Sequence, residues 1–127
     1  MTNEAFINTL FPFSASFNTN KEAKALIDQA RFVFELGKSE AKFGAEAAEA
    51  SSQNGSEPDK YLASISVWHY GQALAKFREA ISKFEEAKRF SLSLKYKSYV
   101  DLKIRQCLEN VMICKLQQQK NNYGKIF

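Results

Sequence analysis

The sequence predicts an all-α fold: an antiparallel bundle of three long helices with a short apolar N-terminal segment packed on it. Apolar side chains recur three and four residues apart over three long tracts, the spacing that lines one side of an α-helix. The only two prolines, Pro12 and Pro58, fall outside those tracts. The composition, 45% hydrophobic and 25% charged over 127 residues, is that of one globular domain able to bury a core without disulfide staples.

The head, residues 1–18, contains the apolar run Ala5-Phe6-Ile7-Asn8-Thr9-Leu10-Phe11-Pro12-Phe13. Helix one is expected over 19–50, with Thr19 and Glu22 matching a capping box. Ala30, Phe34, Gly37, Ala41, Gly44 and Ala48 follow at spacings of 4, 3, 4, 3 and 4, a face made almost entirely of small residues. Two mid-helix glycines cost about 1 kcal/mol each against alanine. Close approach of a neighbouring helix offsets that cost; a kink or an early helix end at either glycine is the alternative.

The stretch 51–58, Ser-Ser-Gln-Asn-Gly-Ser-Glu-Pro, reads as a loop. Helix two follows over 59–90, with Pro58 suited to its first turn. Val67, Tyr70, Leu74, Phe77, Ile81 and Phe84 alternate three and four apart. In an antiparallel hairpin the small face of helix one meets the large side chains Trp68, Tyr70 and Leu74, large against small.

Helix three is expected over 95–119. Val100, Ile104, Cys107, Val111 and Cys114 form its buried seam, with the two cysteines acting as small apolar groups too far apart to bridge. A second row, Tyr99, Leu102, Ile113 and Leu116, lies on nearly the opposite side at about 100° per residue. Such a helix is either covered on both sides, here by the apolar head, or offers one side to a partner.

Little in the chain points to catalysis. His69 is the only histidine and has no sequence-adjacent nucleophile or orienting acid. His69, Cys107 and Cys114 lack the paired spacing of a zinc site, and the five glycines form no phosphate loop. No catalytic residue, cofactor or metal is expected. No apolar run is long enough for a transmembrane segment, and the N-terminus lacks the basic start and cleavage site of a signal peptide, so a cytoplasmic location is expected.

Charge is divided unevenly: residues 1–60 carry six basic and nine acidic side chains, and 61–127 carry twelve and five. Lys76, Arg78, Lys83, Lys88, Arg89, Lys95, Lys97, Lys103, Arg105 and Lys115 supply a basic surface on helices two and three. It suits an acidic protein partner, an anionic membrane surface or nucleic acid. No helix-turn-helix spacing or RNA-binding aromatic motif accompanies it, so nucleic acid is the alternative reading.

Residues 72–87, Gln-Ala-Leu-Ala-Lys-Phe-Arg-Glu-Ala-Ile-Ser-Lys-Phe-Glu-Glu-Ala, read as A-L-x-x-F-x-x-A-I-x-x-F-x-x-A. This resembles the second helix of a microtubule-interacting-and-trafficking (MIT) domain, and residues 102–108 and 111–116 resemble that family's third helix. The resemblance covers about residues 67–118. Tetratricopeptide helices share the same grammar but come in arrays, and no further repeat occurs here. The 30-residue helix one, the long loop after it and the apolar head are additional to the MIT pattern. The resemblance implies a three-helix bundle that binds tails of endosomal-sorting filament subunits in grooves beside helix three. On matching positions it implies Leu102, Ile113 and Leu116 as contacts, with Lys103 and Arg105 as charge partners. Family grooves often present acidic residues, whereas this half is basic.

The expected function is a non-enzymatic module that docks an amphipathic helix or tail of another protein beside helix three, in endosomal sorting or membrane trafficking. Tyr99, Leu102, Lys103, Arg105, Ile113 and Leu116 are the expected contacts. A nucleic-acid-binding bundle and a self-associating structural or accessory subunit, a homo-oligomer, are the alternatives.

Overall fold

The computed structural model describes residues 17–53, 59–90 and 92–126. Residues 1–16 of the head, Pro58 and most of the first loop lie outside the described residues, as does the expected packing of the head on the bundle. Three helices account for nearly all of the described chain: α1 (Phe17–Ser52), α2 (Lys60–Ala87) and α3 (Leu94–Ile126). They pack together without strands among the described residues. α2 is the middle element. α1 and α3 both run along it and meet one another at few points.

The ends of the helices differ from the sequence expectation in instructive ways. α1 is already under way at Phe17, so Thr19 lies within it and is not its cap. Asp59, rather than Pro58, opens α2: its Oδ1 accepts from the Tyr61 and Leu62 amides at 2.9 and 3.1 Å. The same residue closes the loop. The Asp59 amide donates to the Ser51 carbonyl at 3.0 Å, and Ser51 Oγ donates to the Asp59 carbonyl at 2.9 Å. α2 stops at Ala87 with Lys88 as its C-cap, three residues before the expected end. Ser93 caps α3, its Oγ accepting from the Tyr96 amide at 3.2 Å. α3 then runs seven residues past the expected Gln119.

The core follows the predicted seams. Ile27, Ala30, Val33 and Phe34 of α1 meet Tyr70, Ala73, Leu74, Phe77, Ala80 and Phe84 of α2. Tyr96, Val100, Ile104, Cys107 and Cys114 of α3 close the third side, with Val111 half-buried beside them. Phe34 and Phe77 meet edge to face with centroids 5.6 Å apart, the arrangement that sets a positive ring edge against a negative ring face.

α1 runs unbroken through both glycines. Both admit an aromatic ring: a Cβ on Gly37 would stand 2.9 Å from Phe77 Cε1, and one on Gly44 would stand 3.0 Å from the Tyr70 ring. The ring opposite the small face is thus Phe77 or Tyr70. Trp68, expected there, points outward and is largely exposed. It lies two residues before Tyr70, about 200° around the helix, so the two cannot share a face.

Buried Ser66 joins all three helices at one point. Its Oγ donates to the Gly44 carbonyl of α1 at 2.7 Å and accepts from Asn121 Nδ2 of α3 at 2.8 Å. Nearby, Gln118 Nε2 donates to the Val67 carbonyl at 3.1 Å. At the other end of the bundle Lys88 Nζ pairs with Asp101 Oδ1 at 2.8 Å, which keeps the ammonium protonated to higher pH than usual.

Urea denaturation checks the close approach. Gly37→Ala and Gly44→Ala are expected to destabilise by about 1–3 kcal/mol through overpacking, although alanine is the better helix former. Gly71→Ala is expected to cost less than either, since its Cβ would meet only Gln118 Nε2, at 3.2 Å, and the gain in helix propensity offsets the shift of that amide from the Val67 carbonyl.

Candidate functional site

α3 presents its buried seam to α2 and its opposite side to solvent. On that solvent side Leu102, Leu108, Met112, Ile113 and Leu116 are each between 44% and 65% exposed. At 100° per residue they form a band about 140° wide, from Leu108 to Ile113, with Arg105 and Glu109 inside it. The helix is long, capped by Ser93 at its start and tied to α2 near both ends, which holds the ridge in place.

The expected contacts divide into two groups. Leu102, Arg105, Ile113 and Leu116 all lie on this ridge and are exposed. Tyr99 and Lys103 do not. Tyr99 is half-buried and stacks on Tyr96 with centroids 6.0 Å apart. Lys103 Nζ sits 5.2 Å from the Phe34 ring centroid and 5.8 Å from that of Tyr99, drawn to the junction with α1 by cation–π attraction. Leu108 and Met112 belong to the ridge and are absent from the sequence expectation. Their spacing of four before Leu116 is the signal that would have found them.

The charges beside the ridge are mostly positive. Lys95, Lys97, Arg105, Lys115 and Lys120 are exposed along α3, against Asp101 and Glu109, and Asp101 is engaged by Lys88. Other members of the expected basic surface turn elsewhere: Lys83 Nζ donates to Gln29 of α1 at 3.2 Å, and Lys103 covers Phe34.

Remaining candidates for chemistry are structural in their surroundings. His69 Nδ1 lies 2.7 Å from Glu40 Oε2, and its ring is 5.5 Å from that of Phe43 and 4.9 Å from that of Trp68. Cys107 and Cys114 are free thiols in the core, both pushed up to about 11 by burial; Lys103 pulls Cys107 slightly back. Burial also raises Tyr70, Tyr96 and Tyr99, with Cys114 adding to the first and Asp28 to the other two. A cleft of about 310 Å³ at the loop end of the bundle is lined by Ser51, Lys60, Ala63, Gln117, Lys120 and Asn121 among others. Among the described residues no three His, Cys, Asp or Glu side chains gather where a metal could bind. No helix among them is long and apolar enough to cross a membrane.

No family profile, curated protein or solved structure matches this chain. The resemblance to MIT domains therefore rests on the residues quoted above.

The buried thiols set an alkaline limit to stability. In the unfolded chain they lose protons from their ordinary value of 9.0, whereas in the fold they hold them to about 11. The folded state then binds more protons, so stability is full below pH 9 and falls as pH rises toward 11. Urea midpoints measured across this range are expected to decline less steeply for Cys107→Ala/Cys114→Ala. Native-state labelling of either cysteine by thiol reagents is expected to be slow and to accelerate in urea.

Proposed function

We propose that this chain is a non-enzymatic interaction module that docks an amphipathic, acidic helical segment of another protein along the outer face of α3. The observation that carries the reading is the exposed ridge of Leu102, Leu108, Met112, Ile113 and Leu116 on an ordered helix. Isolated exposed apolar residues are ordinary, but a contiguous row on one helix face marks an interaction surface. A partner helix with apolar residues at i, i+3, i+4 and i+7 matches such a row. Full burial of each large side chain contributes about 1.5–3 kcal/mol, and about half of that remains to be gained at each of these half-exposed positions. The surplus of lysine and arginine beside the ridge steers and selects an acidic segment.

The MIT-like pattern of residues 72–87 and 102–116 supports the same class of function and adds a setting. On that resemblance the partner is the tail of an endosomal-sorting filament subunit, and the module serves membrane trafficking. The basic flanks narrow the choice to an acidic tail.

Fluorescence anisotropy with two labelled model peptides tests the reading. One is an amphipathic helix with leucines on one face and glutamates flanking them; the other replaces the glutamates by lysines. The wild-type chain is expected to bind the acidic peptide at least tenfold more tightly than the basic one, about 1.4 kcal/mol. Leu102→Asp/Ile113→Asp, at solvent-facing positions, is expected to keep the melting temperature and lose the binding. Retained binding in that folded variant, or equal binding of both peptides, removes the α3 face as the docking surface.

A further inference from the structure

The outer side of the α1–α2 hairpin carries a second row of apolar side chains that the bundle leaves unused. On α1 it consists of Ala25, Phe32, Leu36, Phe43, Ala47 and Ala50, at spacings of 7, 4, 7, 4 and 3 on the side opposite the core. Phe32, Leu36 and Phe43 are 37% to 65% exposed. Trp68 of α2 is 58% exposed. His69 bridges the two, its ring 5.5 Å from Phe43 and 4.9 Å from Trp68, with Glu40 holding it at 2.7 Å. Tyr61 continues the surface toward the loop.

We propose that this face is the interface of a symmetric homodimer, in which the α1–α2 hairpin of a second copy occupies it with the two α1 helices antiparallel. Area is the first argument. At 150–250 Å² per large side chain, the exposed parts of Phe32, Leu36, Phe43, Trp68 and Tyr61 come to about 600 Å². That is at the top of what a monomer shows in one patch, about 300–600 Å², and close to the roughly 800 Å² each partner contributes to a stable interface.

Shape and charge choose a second copy as the occupant. A two-fold axis at the level of Ser39 and Glu40 pairs positions whose numbers sum to 79. It sets Phe32 against Ala47 of the second copy, Leu36 against its Phe43, and Gln29 against its Ala50. Phe32 and Gln29 each meet an alanine while Leu36 packs on Phe43, and the pattern closes on itself as an isologous contact requires. The same axis brings like flank against like flank, placing exposed Glu35 near Lys42 of the second copy. Trp68 comes beside Leu36 and Lys76 of the second copy, where a lysine over the indole adds cation–π attraction. The α3 ridge lies outside this contact, so the dimer leaves the proposed docking face open.

Sedimentation equilibrium of the full chain from about 1 to about 200 µM, bracketing a micromolar Kd, provides the test together with emission from Trp68, the only tryptophan. The expected result is a concentration-dependent dimer whose tryptophan emission shifts to the red on dilution. Ser39→Cys, beside the axis, is expected to form a disulfide-linked dimer under mild oxidation, whereas exposed Ser98→Cys on the outer side of α3 does not. Glu35→Lys and Lys42→Glu are each expected to weaken the dimer severalfold, and the double variant to restore it. A monomer at every concentration overturns the proposal. So does a dimer whose Trp68 emission ignores dilution, or one linked through Ser98→Cys, since either places the contact on another face. A double charge variant no better than the single ones overturns the antiparallel pairing.

Discussion

The depth of contact between α1 and α2 governs the rest of this structure. Gly37 and Gly44 remove the two side chains that would hold the helices apart, and Phe77 and Tyr70 fill the space. Once those rings are seated, Phe34 meets Phe77 edge to face and the Gly44 carbonyl comes within reach of Ser66. Ser66 in turn accepts from Asn121, so the position of α3 depends on the same approach. The glycines cost helix propensity, and the aromatic burial they permit offsets it.

This pairing also settles which side chains are left outside. With Tyr70 and Phe77 turned into the hairpin, Trp68 must face outward, and with it the row Phe32, Leu36 and Phe43. α3 spends one side on the α2 seam and keeps the other as a ridge of five exposed apolar residues. The two apolar surfaces are on different elements and have different borders. The ridge is flanked mostly by lysine and arginine, whereas the hairpin face is bordered by both signs of charge, Glu35 and Lys42 among them.

Much of this is legible in the residues, for physical reasons. Spacings of three and four identify each seam, because a helix buries one side against its neighbour whatever the neighbour is. The rows Val67 to Phe84 and Val100 to Cys114 accordingly fall in or beside the core, and both cysteines are buried. Helix ends are set by single hydrogen bonds, and those are harder to see. Asp59 and Ser93 cap α2 and α3, while Thr19, an equally plausible cap by its pattern, lies inside α1. Of the candidate site, Leu102, Arg105, Ile113 and Leu116 are on the solvent side of α3 as spacing indicates. Tyr99 and Lys103 lie about 60° and 100° around from Leu102, enough to bring them against α1. How far around a helix burial extends depends on the neighbour's position, which periodicity does not contain. Leu108 and Met112, by contrast, are within reach of spacing, since they stand eight and four residues before Leu116.

That α3 leans on α2 and hardly on α1 ranks the bundle's internal motions. The α1–α2 hairpin is a continuous packed unit closed by the Ser51–Asp59 clip. α3 is attached to it through one seam and a few polar latches, Lys88–Asp101 at one end and Gln118–Val67 and Asn121–Ser66 at the other. Lifting α3 away breaks that seam while leaving the glycine–ring contacts of the hairpin intact. Such an opening lies below global unfolding on the free-energy scale, so the amides of α3 exchange with solvent hydrogen sooner than those at the centre of α1 and α2.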